Sequence, residues 1–179
     1  GLTLKPLTEA LPPPLPNGVI ARSDGVLYFT AGKLYSRRCD GSVRVEAAYE
    51  GSYANGLALA PDERTLFVAV SFPAPAGIDA YRVASSGSLT LAPELSFRDG
   101  RTFSPLADEL AVSPHGGGRV FAATGGESLG WYEPESRSFG SLHVAHGIRT
   151  VSVAADAASP RLFVTTSPGG VFEVRLDST

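Results

Sequence analysis

The 179-residue chain contains no methionine, one cysteine, one tryptophan and three histidines. A lone Cys39 cannot close an internal disulfide, which removes the disulfide-stapled scaffolds, and its thiol is expected to be half-buried and chemically silent. No apolar stretch approaches the ~20 residues that cross a bilayer as a helix, and no signal-peptide pattern is present. The expectation is a soluble chain with no membrane partner, its compartment left open. Lys and Arg number 15 against 18 Asp and Glu, giving a net charge of -3, with no basic run among them. That balance offers no face for a phosphate backbone, so nucleic acid is not an expected partner. Also missing is any apolar pattern at i, i+3, i+4, i+7 sustained over three turns, and Pro12-Pro-Pro14 forbids a helix near the start. The absent initiator Met is read as a processed or tag-cleaved amino terminus, or as a piece of something longer.

Turn formers are plentiful: 20 Gly and 14 Pro punctuate a chain that is 43% hydrophobic and only 18% charged. A mean hydropathy of +0.06 is ordinary for a globular protein. At this length one domain spanning 1–179 is expected, made of many short strands.

The strands repeat. Asn17-Gly-Val-Ile-Ala-Arg-Ser-Asp-Gly-Val-Leu-Tyr-Phe-Thr30 sets a pattern of polar head, apolar run, turn and second apolar run. Asn55-Gly-Leu-Ala-Leu-Ala-Pro-Asp-Glu-Arg-Thr-Leu-Phe-Val-Ala69 and Asp108-Glu-Leu-Ala-Val-Ser-Pro-His-Gly-Gly-Gly-Arg-Val-Phe-Ala122 follow it. A fourth copy, Arg149-Thr-Val-Ser-Val-Ala-Ala-Asp156 onward, has an altered head. Starts near 17, 55, 108 and 149 give spacings of 38, 53 and 41 residues, close to the ~40–50 of four-stranded propeller blades. Each hairpin is followed by an alternating third run, such as Ile78-Asp-Ala-Tyr-Arg-Val83, and often a weaker fourth, such as Leu89-Thr-Leu-Ala92. The predicted fold is all-β, a propeller of about four four-stranded blades, with residues 1–16 a leader or the remnant of a preceding blade. Small-residue inner runs, Leu57-Ala-Leu-Ala60 and Leu110-Ala-Val112, favour radial blades over a sandwich. Four blades alone leave little room at the axis, and open blade faces need covering by another chain or a symmetric copy.

Aligned across the copies, the residue before each inner strand is Asn17, Asn55 and Asp108, with Glu109 following. In a propeller such positions meet at one mouth of the central channel. Converging amide and carboxylate oxygens describe a hard-cation site, with Ca²⁺ the first candidate and other divalent cations behind it. The structural alternative is that Asn-Gly only makes tight turns and Asp only caps a loop; three oxygen donors in register favour the site. His146, before the fourth inner strand, is either a proton carrier at the same mouth or a solvated loop residue. His115 lies in a hairpin turn expected at the opposite rim. Trp131 and Tyr132 are expected to pack between blades.

At these residues the chain resembles the calcium-dependent propeller hydrolases that include gluconolactonase, regucalcin and paraoxonase. The segment from Ala54 to Val70 is similar to theirs around a metal-binding Asn, and Pro16-Asn17 with Ser23-Asp-Gly-Val-Leu-Tyr-Phe-Thr30 is similar to the preceding one. Ser88-Leu-Thr-Leu-Ala-Pro-Glu-Leu-Ser-Phe97, leading to Asp108-Glu-Leu-Ala-Val-Ser-Pro114, is similar to the paraoxonase approach to its metal-binding acid. The resemblance implies a six-bladed ring, calcium held by Asn17, Asn55 and Asp108 with Glu109 a further donor, and hydrolysis of lactones or esters. Asp108 would then be the catalytic acid, with His146 a second proton carrier. The chain departs from the family in carrying Gly18 after the first Asn, Thr30-Ala-Gly32 after the second strand, and no counterpart of the first-blade Glu ligand; Glu9 sits upstream in no blade pattern. Two other classes stay open: a non-catalytic partial propeller acting as a binding or assembly scaffold, and a lyase or synthase on the same fold, as in strictosidine synthase relatives.

Overall fold

The computed structural model describes residues 16–72, 75–99, 101–115 and 117–176. Glu9, Pro12-Pro-Pro14 and the leader assigned to the start of the chain lie outside the described residues.

Sixteen described strands form four antiparallel sheets. Blade 1 holds β1 (Val19–Ala21), β2 (Leu27–Thr30), β3 (Leu34–Arg37) and β4 (Val43–Ala47). Blade 2 holds β5 (Ala54–Leu59), β6 (Thr65–Val70), β7 (Gly77–Val83), β8 (Leu89–Leu91) and a short β9 (Phe97–Arg98). β10 (Leu110–Val112), β11 (Val120–Ala123), β12 (Ser128–Glu133) and β13 (Ser138–His143) make blade 3. Among the described residues blade 4 has three strands, β14 (Arg149–Ala155), β15 (Arg161–Ser167) and β16 (Gly170–Arg175). Within each blade sequential strands pair as a meander. The 53-residue spacing after Asn55 is explained in blade 2, where β8 covers Tyr81 to Val83 of β7 and β9 covers Gly77 and Ile78. A single 3₁₀ turn, Pro93–Leu95, links the two. No helix among the described residues is long and apolar enough to cross a membrane.

Period-2 alternation buries both faces of the middle blades, because successive side chains of a strand point to opposite sides. On β6, Leu66 and Val68 join Tyr28, Leu34 and Leu57 between blades 1 and 2. Phe67 and Ala69, one residue out of phase, face Leu110, Val120 and Tyr132 between blades 2 and 3. β11 does the same one blade on, with Phe121 and Ala123 packing on Val153, Leu162 and Val164. Tyr132 stacks on Phe97 with ring centroids 4.7 Å apart, and Trp131 packs on the cluster between blades 3 and 4, so both aromatics serve inter-blade packing as the sequence predicts. Cys39 differs from expectation: it is exposed, in the β3–β4 turn beside Asp40, with its thiol 3.2 Å from the Asp24 carbonyl oxygen. A turn residue at the blade's outer rim has no core to enter.

Among the described residues both end blades present apolar side chains to the surface. Blade 1 exposes Val19, Val43 and Val45, and blade 4 exposes Val151, Phe163 and Val171.

Candidate metal centre at the inner-strand heads

Each inner strand begins with the same irregularity, a bulge in which two residues oppose one on the neighbouring strand. Asn17 N–H donates to the Thr30 carbonyl while Thr30 N–H donates back to Gly18. Asp108 and Glu109 share Ala123 in the same way. In β5 the register jumps from Ala54↔Val70 to Leu57↔Val68, so Asn55 and Gly56 are the doubled residues. Bulges re-aim side chains where a strand enters its sheet. Here the same bulge carries the heads of three consecutive blades. In β14 the jump falls between Thr150 and Ser152. The fourth head is therefore Thr150, one residue beyond the Arg149 that the apolar pattern suggests, since a bulge adds a residue without altering hydrophobicity. The Thr150 hydroxyl is already engaged, accepting from Thr124 N–H at 3.0 Å and donating to the Ser128 carbonyl at 3.0 Å.

The first three heads abut. Gly56 N–H donates to the Asp108 carbonyl at 3.0 Å. A Cβ on Gly18 would lie 2.9 Å from the Asn55 carbonyl oxygen, and one on Gly56 2.5 Å from that of Asp108, so glycine lets each backbone touch the next. Thr30 ties blades 1 and 2 by accepting from Gly18 N–H at 2.9 Å and donating to the Asn55 carbonyl at 2.6 Å. Asn17 is exposed at this mouth, Asn55 is 7% exposed, and Asp108 and Glu109 are partly buried.

The Asn55 amide is held in one orientation. Its Nδ2 donates to Ser71 Oγ at 3.0 Å, and Ser71 in turn donates to the Ala107 carbonyl. This leaves Asn55 Oδ1 buried with no hydrogen-bond partner. A buried acceptor left unpaired is destabilising by about 1–3 kcal/mol, and an oxygen-seeking cation is one group that would satisfy it. Burial raises the Asp108 carboxyl above its ordinary value, with the Asn55 amide pulling it part of the way back. Glu109 shifts the same way, first through burial and then through the nearby Asp108 charge, while the Leu110 and Leu57 N–H groups oppose the rise. Two partly desolvated carboxyls and an orphaned amide oxygen are an oxygen-only donor set that fits a hard cation.

His146 stands elsewhere in the hydrogen-bond network. It is exposed, with Nδ1 3.1 Å from Glu127 Oε2. The residue acting on the Asp108 carboxyl is Asn55, whereas those acting on Glu127 are Gly147, His146 and His143, so the two carboxyls share none of these partners. His115 lies in the β10–β11 turn, at the rim away from the heads, with Nε2 3.0 Å from the Ala157 carbonyl. Sequence reasoning missed Ser71 and Thr30, which bear no motif, and Glu127, whose link to His146 spans 19 residues of chain.

Radial four-stranded meanders with both faces of the middle blades buried define a β-propeller. Among solved propellers, the chain is similar to a gluconolactonase of Xanthomonas campestris, with 25% identity and a TM-score of 0.69 over 90% of this chain and 57% of that one. A luciferin-regenerating enzyme is similar at 18% identity and a TM-score of 0.71, over 90% of this chain and 61% of that one. The propeller domain of Myceliophteria thermophila Cps50 (Swd1) is similar at 17% identity and a TM-score of 0.66, over 89% of this chain and 50% of that one. The chain thus spans about six tenths of the length of the first two. No family model and no curated protein matches it.

Proposed function

We propose that the chain is the site-bearing part of a calcium-dependent hydrolase of lactones or esters, in a ring that further blades complete to six. The observation that carries this reading is the buried, unpartnered Oδ1 of Asn55, fixed by Ser71 between the heads of Asn17 and Asp108. The likeness to a gluconolactonase at 25% identity supports it. Asn17, Asn55, Asp108 and Glu109 would hold the ion, which when bound supplies Lewis-acid polarisation of the substrate carbonyl. Asp108 acts as general base. It takes the proton of a water attacking the carbonyl carbon, the C–O bond to the leaving oxygen breaks, and the same proton passes to that oxygen, giving a hydroxy acid from a lactone. Ser71 and Thr30 orient Asn55 and its backbone and take no part in the chemistry. Glu127 engages His146, so the proton path rests on Asp108.

Calorimetric titration with Ca²⁺, together with hydrolysis of a δ-lactone and an aryl ester before and after chelation, tests the reading. One ion per chain is expected, with activity lost at least about 100-fold on chelation and restored by Ca²⁺. A chain that takes up no Ca²⁺ at millimolar concentration sinks it.

A second reading, an assembly scaffold, is favoured by the end faces. Val19, Leu57 and Leu110 occupy the same place after their bulges, yet Leu57 and Leu110 are each 4% exposed and Val19 is 69% exposed. Thr166 opposes its bulge as Thr30 does; Thr30 Oγ1 reaches the next head's carbonyl, whereas Thr166 Oγ1 is buried without a partner. Blade 1 offers what blade 4 lacks, a head carbonyl at Asn17 beside an uncovered Val19. The occupant is therefore a second copy, each blade 4 docking on the other's blade 1. Light scattering should give about twice the 18.6 kDa of one chain, and Val19→Asp should halve it. A wild-type chain that stays monomeric and monodisperse at about 100 μM overturns this closure.

A further inference from the structure

We propose that Glu127, His143 and His146 form a second metal site, distinct from the oxygen-only heads and selective for Zn²⁺ or a similar nitrogen-seeking divalent ion. The three side chains each offer a ligand atom, and those atoms lie within 4.8 Å of one another. Their meeting follows from the sheet. β12 and β13 pair Ser128 with His143, and Val144 N–H continues the ladder to the Glu127 carbonyl at 2.9 Å, so the turn that carries Glu127 stands beside the end of β13 that carries His143. The chain then turns back through Gly147, whose φ of +72° glycine adopts without strain. That turn brings Gly147 N–H to Glu127 Oε1 at 2.7 Å and His146 Nδ1 to Oε2 at 3.1 Å. The His143 and His146 rings lie 4.3 Å apart between centroids.

This donor set is chemically unlike the first. Two imidazoles and one carboxylate with a fourth position open to water are a set that Zn²⁺ takes, whereas Ca²⁺ prefers oxygen alone. Ligands ~2.0–2.2 Å from a tetrahedral ion stand about 3.4 Å from each other, so closing from 4.8 Å takes only small rotations of exposed side chains. The Gly147 N–H, donating to Glu127 Oε1 at 2.7 Å, orients the carboxylate as outer hydrogen bonds orient metal ligands. A bound ion would pin the loop that leads into β14 to the edge of blade 3.

The test uses the whole chain, stripped with chelator and titrated with Co²⁺ and Zn²⁺. A visible Co²⁺ band of tetrahedral intensity is expected at one ion per chain, displaced by Zn²⁺ and undiminished by millimolar Ca²⁺. His143→Ala and His146→Ala should each weaken Co²⁺ binding at least 10-fold, and Cys39→Ser should leave it unchanged. All three substituted residues are surface-exposed, so these variants are expected to fold. A wild-type chain without the band, a band that survives in the His143→Ala/His146→Ala double variant, or displacement by Ca²⁺ overturns the proposal. Asn55→Ala separates the two sites: it should remove calcium uptake and leave the cobalt band intact.

Discussion

A Gly56→Ala chain is expected to melt about 6–12 °C below the wild type and to lose calcium uptake with it. The added Cβ would lie 2.5 Å from the Asp108 carbonyl oxygen, 2.5 Å from the Glu109 Cα and 3.0 Å from Glu109 Oε1. Two of those three atoms are backbone and cannot rotate away, so the heads of blades 2 and 3 must separate. Separation breaks the Gly56 N–H bond to Asp108 and opens the packing of Leu110 against blade 2. Overpacking of this kind costs about 1–3 kcal/mol, and an unpaired buried N–H adds a similar amount at its lower end, giving roughly 3 kcal/mol in all. At about 2–4 °C per kcal/mol for a chain of this size, the melting shift follows. Gly51→Ala is the control. Its Cβ meets nothing within 4 Å, and only its φ of +69° opposes the change, so a loss of about 1 kcal/mol is expected. A Gly56→Ala chain melting within about 2 °C of wild type shows that the blades do not meet through the Asn-Gly dipeptide.

The comparison also explains what the sequence could carry. Blades were legible because their alternation is written twice, once in each apolar run, and because Asn17-Gly18, Asn55-Gly56 and Asp108-Glu109 recur before them. The same Asn-Gly that resembles a tight turn is a bulge head here, and its glycine serves close approach between blades rather than a reversal. The doubled pair Thr150-Val151 keeps the apolar phase of the strand that follows, so the apolar pattern alone places the fourth head one residue early, at Arg149. Ser71 carried no signal, because it works through one hydrogen bond to Asn55 across 16 residues. Glu127, His143 and His146 were separable from background only through the pairing of Ser128 with His143, a register that the turn after Glu133 sets and that no spacing rule announces. Cys39 is exposed because its position in a turn at the outer rim overrides the tendency of a free thiol to be buried.

Asp108→Asn is expected to show the largest functional loss, at least about 10³-fold in kcat/KM and 100-fold in calcium affinity, while making the metal-free chain more stable at neutral pH. The substitution keeps the shape and an oxygen donor and removes the charge. Loss of the general base and of one anionic ligand accounts for the functional side, about 4 kcal/mol of transition-state stabilisation for a 10³-fold change. The stability side follows from the sign of the pKa shift. A carboxyl whose folded-state pKa is raised contributes stability below its unfolded value, near 4, and that contribution is lost as pH rises through the raised value. Glu109 adds to the trend, because the Asp108 charge raises it further. Other carboxyls act oppositely: Asp156 is held low by Ser159 and then by the Ala158 N–H and Arg161, and Glu133 is held low by Ser136 and then Arg119, so their contributions are lost as pH falls. The informative quantity is therefore the melting difference between Asp108→Asn and wild type. Without metal it should be near zero at about pH 4 and grow in favour of the variant by about 2–4 °C at pH 7, an estimate of roughly 1 kcal/mol for half-buried, solvent-screened groups. With saturating Ca²⁺ the order should reverse at pH 7, since the ion binds the ionised wild-type site and stabilises by mass action. A difference that stays flat from pH 4 to 7, or a variant that binds Ca²⁺ as tightly as wild type, would remove Asp108 from the centre and the hydrolase reading with it.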